Sequence, residues 1–293
     1  MANCAEVSKL CKRYGDFFLE DVSFAIPEGT VMGLIGENGA GKSTIIRLML
    51  KPSYKDDGKV FLFGQHIGTS VPVAVKDDIG VVFDECYYPD TCNALQMAII
   101  FSNIYTKWDN ALFLRLLKRF DVPEKKKMKE MSRGNKMKLS IICAIAHRPR
   151  LLVLDEPTSG LDPLVRSAML DLLQTFMEDE RRSILFSSHI TVDLERIADH
   201  ITCIHNGKLR FSEQKDDLLN KYAIFKGTRQ QFEQVGSEDF INIRYDRYGV
   251  EALCKNKEEA AKKYPQLTQD KVTIDDILSH SVGNKSYQES EIL

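Results

Sequence analysis

The chain has 293 residues, of which 43% are apolar and 28% charged, with a formal net charge of −2. That length holds one large domain, or one of usual size with an appendage, around a core that needs no disulfide or metal staple. Near-neutral charge gives no global pull toward nucleic acid or an anionic membrane, and seven scattered cysteines (4, 11, 86, 92, 143, 203, 254) without paired ligand spacing read as reduced thiols, not a zinc site.

Met1 to Lys9 contains no apolar leader segment, and no uninterrupted apolar run approaches 18 residues, so the chain is expected neither to enter nor to span a membrane. Strand patterns alternate with turns at Val7–Leu10, Phe17–Leu19 and Val22–Ile26, after which Pro27, Glu28 and Gly29 turn into a buried strand at Val31–Ile35. Tyr14 lies in a polar loop between two of these strands, where its ring can be presented to a base.

Gly36, Glu37, Asn38, Gly39, Ala40, Gly41, Lys42, Ser43 and Thr44 then form a glycine-rich loop between that strand and an apolar helix at Ile45–Leu50. This is the context of a phosphate-binding loop: the glycines bring backbone N–H groups onto phosphate oxygens, and the helix N-terminus adds partial positive charge. Lys42 reaches the β- and γ-phosphates as a point charge, and the Ser43 hydroxyl completes a Mg²⁺ shell.

Tyr54 to Gly58 is a turn, and Val60–Gly64 and Ile79–Phe83 are the next strands. From Cys92 to Phe120 the spacing becomes helical, at Leu95–Phe101 and Ala111–Leu117, which predicts a helical insert. Lys125–Lys129 reads as a solvated helix face. Met131–Lys136 is a polar turn ahead of an apolar helix at Leu139–Ala146, and its Ser132 hydroxyl and nearby N–H groups make it a second candidate phosphate binder.

Leu151–Leu154 is the continuous apolar run of a central parallel strand, and it ends at Asp155 and Glu156. Ligands of open α/β sheets lie at the carboxyl ends of strands, so both acids fall where the loop has placed a nucleotide. Asp155 is predicted to hold Mg²⁺ and Glu156 to polarise the attacking water. Ser159–Pro163 is a turn, a helix runs from about Val165 to Glu178, and the strand Ser183–Ser188 ends at His189, within reach of a γ-phosphate. A hairpin at Ile201–Leu209 closes the domain near residue 222. Residues 223–293 carry a strand-like piece (Phe240–Tyr245) and a polar helix (Asn256–Tyr264), a small α+β appendage with a tail from about Gly283 expected to be disordered.

Five motifs in this order, the loop at 36–44, the turn at 131–136, the strand at 151–156, Ser159 to Asp162, and His189, resemble the nucleotide-binding subunit of an ABC transporter over residues 4–222. The resemblance implies an α/β P-loop NTPase fold of the ABC-ATPase kind, with an antiparallel β subdomain, a helical subdomain at about 88–140 and the small C-terminal extension at 223–293. It implies ATP and Mg²⁺ as cofactors. Residue by residue, Tyr14 takes the adenine-stacking place, Ser132 and Gly134 close on the γ-phosphate held by another subunit, and Asp162 communicates across the dimer. Glu156 is the catalytic glutamate and His189 the switch histidine. Two half-sites then need two chains, identical or paralogous, clamped head to tail by ATP, with a separately encoded multi-spanning permease moved through the helical insert. The implied location is cytoplasmic, on the inner face of the cell membrane, with no nucleic acid bound directly.

Two positions depart from the family pattern. The turn reads Ser132, Arg133, Gly134, Asn135 where Ser-Gly-Gly-Gln is usual, which places a guanidinium near the partner's phosphate. Asp84 stands at the usual metal-contacting glutamine. A carboxylate about 4 Å from Mg²⁺ or a phosphate is worth roughly 4 kcal/mol at an effective dielectric of about 20, attractive to one and repulsive to the other. Both departures, with Val272–Leu278, are similar to exporters whose membrane subunits are of the ABC-2 kind. The competing enzyme reading, a soluble ABC ATPase acting on nucleic acid or the ribosome, predicts tandem cassettes or a long coiled coil, and neither is in this sequence. An ATP-binding switch without turnover is argued against by Glu156.

Overall fold

The computed structural model describes residues 2–51, 54–233, 235–247 and 249–282; the tail from Gly283, expected to be disordered, lies outside them. The chain divides into two compact units, Met1–Ser212 and Glu213–Leu293. None of the described helices is long and apolar enough to cross a membrane.

The first unit opens with two long strands, β1 (Asn3–Tyr14) and β2 (Phe17–Pro27), paired antiparallel. The three short strand pieces read from the sequence are these two strands. Lys9 and Asp21 adopt left-handed φ of 51° and 49°, so the pairing bulges instead of breaking. Tyr14 is consequently not a loop residue: it ends β1 and pairs with Phe17 across a two-residue turn. Next come β3 (Val31–Ile35), α1 (Lys42–Leu50), β4 (Asp57–Leu62), β5 (Gln65–Ile67), α2 (Val73–Lys76) and β6 (Ile79–Val82). The helices α3 (Ala94–Ile104), α4 (Asn110–Arg119) and α5 (Arg133–Ala146) lead into β7 (Leu151–Asp155), α6 (Pro163–Phe176), β8 (Ser183–Ser188), α7 (Thr191–Ile197), β9 (His200–His205) and β10 (Lys208–Gln214).

These ten strands form one sheet, ordered β5-β4-β1-β2-β10-β9-β3-β8-β7-β6. Antiparallel pairing holds β5, β4, β1 and β2, whereas β9, β3, β8, β7 and β6 run parallel. Every residue of β3, β7 and β8 is buried, so these strands read as continuous apolar or small-residue runs without alternation. Register then decides where the site lies. Ile35 is opposite Ser188, Asp155 opposite Ser187, and Val82 opposite Leu154, so four strands end together and their following loops share one edge.

Helix starts follow from capping. Asn93 and Gln96 close a reciprocal capping box on α3, and Asp109 accepts from the Leu112 N–H to start α4. Ser132 caps α5, so that helix starts at Arg133, earlier than the apolar periodicity from Leu139 indicates. Lys125–Lys127 is exposed loop, not helix face, ahead of a single 3₁₀ turn at Met128–Glu130. A run of lysines has no apolar face to bury, and buried Val122 and Met128 anchor the chain on either side.

The second unit comprises α8 (Lys215–Lys221), β11 (Ala223–Gly227), α9 (Arg229–Phe232), β12 (Asn242–Tyr245), β13 (Val250–Cys254), α10 (Lys257–Lys263), β14 (Thr268–Asp270) and α11 (Ile274–Val282). Its antiparallel sheet is ordered β12-β13-β11-β14, and Phe225, Phe232, Phe240, Ala252 and Tyr264 form its core. Ile274 and Ile277 of α11 are fully buried, so all of the stretch at Val272–Leu278 after Thr273 folds as a helix packed by its apolar stripe.

Candidate active site

The loop after β3 turns at positions where a side chain cannot stand. A Cβ on Gly36 would lie 2.3 Å from the Ile204 carbonyl oxygen, and Gly41 takes a φ of 113° immediately before α1. No side chain caps α1 and its first turn holds no acid, so its leading N–H groups and positive dipole end are left for an anion. Lys42, only 5% exposed, donates from Nζ to the carbonyl oxygens of Gly36 (2.8 Å) and Glu37 (3.3 Å). The same Nζ lies 3.2 Å from Glu156 Oε1, a buried oxygen that accepts no aligned hydrogen bond.

Glu156 follows β7 in a left-handed conformation, φ 52°, that Glu rarely adopts. Two bonds hold its backbone there: its N–H reaches the Ser187 carbonyl oxygen (3.2 Å) and the Ser187 hydroxyl (3.1 Å). That hydroxyl, fully buried, also donates to Asp155 Oδ1 at 2.7 Å. A single serine thus orients both acids. On the other side, His189 Nδ1 lies 2.7 Å from Glu156 Oε2, and since a carboxylate only accepts, Nδ1 carries the proton in this contact. Buried Asp193 on α7 accepts from Thr158 Oγ1 and Arg166 Nε, both at 2.7 Å, and so ties the loop after Glu156 to α6.

The structure gathers Asn38, Gly39, Gly41, Lys42, Ser43, Thr44, Asp84 and Glu156 around one cleft of about 240 Å³. Phe17 lines it too. Tyr14 does not; the residue is 51% exposed, with Lys12 Nζ 5.0 Å from its ring centroid. Ser132, Gly134 and Asp162 also lie off the cleft. Ser132 Oγ accepts from the Asn135 N–H (3.3 Å), Gly134 sits in the first turn of α5, and Asp162 caps α6 by accepting from the Val165 N–H (3.0 Å). Asp84 Oδ1 pairs with Arg133 Nη2 at 2.7 Å, so the two departures from the family pattern meet.

Sequence reading missed Phe17, Ser187, Asp193 and Arg166. Phe17 could have been found, as the aromatic residue directly across a tight turn from Tyr14. The others depend on register and helix packing, which no local pattern reports.

A family model described as "ABC transporter" matches residues 19–159. The chain is 34% identical over 208 residues to the ABC transporter ATP-binding protein YtrB of Bacillus subtilis (strain 168), covering 71% of this chain and 70% of that protein. It is 32% identical over 220 residues to the bacitracin transport ATP-binding protein BcrA of Enterococcus faecalis, covering 70% and 67%. A solved structure of an ATP-binding subunit of an ABC transporter aligns with TM-score 0.64 and 28% identity over 74% of this chain and 92% of that one. The chain belongs to the ABC transporter ATP-binding proteins and is an ATP-hydrolysing subunit.

Proposed function

We propose that this subunit powers export of a substrate through a separately encoded, multi-spanning permease, working from the cytoplasmic face of the membrane. In this reading two copies, or one copy and a paralogue, bind head to tail. Similarity to the bacitracin transport protein supports the transport part of this reading, and the observation that carries its ATP-driven part is the convergence of Lys42 and His189 on Glu156 beside the uncapped N-terminus of α1. Here a polyanion meets N–H donors and an ammonium, and a carboxylate stands ready to accept a proton from water.

Lys42 now contacts loop carbonyls and Glu156, bonds that a phosphate can replace, leaving Glu156 Oε1 free for water. His189 holds Oε2 and so fixes the carboxylate plane. Asn38, Gly39, Ala40, Gly41, Ser43 and Thr44 supply the phosphate cradle after Gly36. Tyr14, the register partner of Phe17 across the turn, offers an aromatic face for the base. Ser132, Gly134 and Asp162 face the partner's nucleotide.

The oxygens present suit Mg²⁺ accompanying a nucleotide. Among the described residues no cluster of three or more His, Cys, Asp or Glu is arranged to hold a metal, and a cation bound by one or two protein oxygens plus phosphates is the Mg²⁺ habit. Ser43, Asp155 and the second oxygen of Asp84 would hold it, and it would supply charge neutralisation at the phosphates.

The test has two arms. Purified Glu156→Gln should lose about 10²-fold or more in kcat while retaining ATP binding. The same variant, tagged in its host and solubilised with ATP, should co-purify with a multi-spanning membrane protein. Recovery with ribosomes or DNA, and no membrane protein, would overturn the transport reading and leave the ATPase standing.

A further inference from the structure

Asp84 places a carboxylate on the wall of the cleft that also holds Lys42, Ser43 and Thr44. Facing a triphosphate, a bare carboxylate there is repulsive. It is not bare: Arg133 Nη2 lies 2.7 Å from Asp84 Oδ1, across 49 residues of sequence. The Arg133 side chain is also backed by the loop that follows Glu156, since a Cβ built on Gly160 would lie 3.8 Å from its Cδ, Nε and Cζ. Three segments meet at this guanidinium: the loop after β6, the first turn of α5 and the loop after β7.

We propose that Arg133 is a positioning residue for nucleotide binding within its own chain, neutralising Asp84 so that the pair presents no net charge to the triphosphate. This differs from the expectation that Arg133 reaches the nucleotide held by the partner. It rests on the nucleotide site proposed above. At 61% and 45% side-chain exposure the pair adds little to folding, and its value lies in the local field. Arg133 fits because its planar fork engages a carboxylate oxygen while its stem lies along Gly160.

The experiment is binding of ATP in EDTA, measured calorimetrically at low ionic strength. Without metal there is no turnover and Asp84 can only repel the ligand. A unit charge roughly 4 Å away in a water-like dielectric is worth about fivefold in Kd, so Arg133→Ala should weaken binding by about that factor. Arg133→Lys should stay within about twofold of the parent, because screening needs the charge more than the fork. The double variant Asp84→Ala/Arg133→Ala should recover parental affinity, and raising salt to about 0.5 M should shrink the Arg133→Ala defect.

Unchanged Kd in Arg133→Ala, or a double variant as weak as Arg133→Ala, would overturn the pairing while the nucleotide site stands. A defect confined to ATP-dependent dimerisation would overturn it in favour of a contact with the partner. Failure of the parent to bind ATP would overturn both the pairing and the site.

Discussion

Two parts of the first unit hold the residues expected to handle ATP, and they are built differently. At the ends of β3, β7 and β8, Lys42, Asp155, Glu156, Ser187 and His189 bond to one another, and all but His189 are largely buried. At the starts of α5 and α6, the side chains of Ser132 and Asp162 accept, among the described residues, from backbone N–H groups of their own helices, and Gly134 carries no side chain. The first group is a wired interior whose geometry is set by the sheet. The second is a pair of capped helix ends exposed at the surface, which the proposed function assigns to a site shared with a second chain.

The sharpest way to break this comparison is Lys42→Ala, which should abolish measurable ATP binding and strand Glu156 Oε1 without its neighbouring cation; retained micromolar affinity would place the phosphates elsewhere. If the outward half belongs to a second chain, mixing Lys42→Ala with Ser132→Ala, each inactive alone, should restore ATPase activity. Additive inactivity would show both halves working within one chain.

Ser187→Ala tests the interior wiring next. It removes the donor to Asp155 and one acceptor of the Glu156 N–H, so kcat should fall by about 10- to 100-fold, and stability by roughly 1–3 kcal/mol, read by urea denaturation. Ser187→Thr keeps the hydroxyl and should recover most of kcat. Ser132→Ala, by contrast, loses a helix cap worth about 1 kcal/mol and should leave ATP binding to the isolated chain unchanged.

The smallest expected effect lies at the start of α4. The Leu112 N–H, and then Arg148, hold the Asp109 carboxyl below its usual value of 3.8. A depressed folded-state pKa gives stability that is complete above the unfolded value and lost as pH falls through the folded one. Asp109→Asn should therefore flatten the acid limb of a stability curve below about pH 4 and leave ATPase activity at neutral pH unchanged.

The interior half was largely legible because each part is contiguous in sequence. Gly36–Thr44 is strand, loop and helix in one run, and Asp155 and Glu156 directly follow a fully apolar strand. Ser187 was not legible: it is one serine in a Ser-Ser-His stretch, and only the register that sets it opposite Asp155 gives it two jobs. Nor was the meeting of Asp84 and Arg133, which lie 49 residues apart on different elements. In the β1–β2 region Glu20 and Asp21 read as a break between two strand pieces, because left-handed Asp21 absorbs a bulge that alternation patterns cannot represent. The start of α5 was placed late for a related reason: hydrophobic spacing reports the buried face of a helix, whereas its first turn is set by the Ser132 cap.

Glu156 carries one further consequence. A non-glycine residue in the left-handed region costs about 1–3 kcal/mol, and this one persists because Ser187 and the sheet hold it there. Selection for folding alone would install glycine or asparagine at this position. A library of this chain screened only for heat resistance should therefore enrich such replacements at 156, and its most thermostable members would be dead catalysts. Under the proposed function, the carboxylate at 156 is a trade-off written into the backbone, a local deficit in stability accepted for turnover.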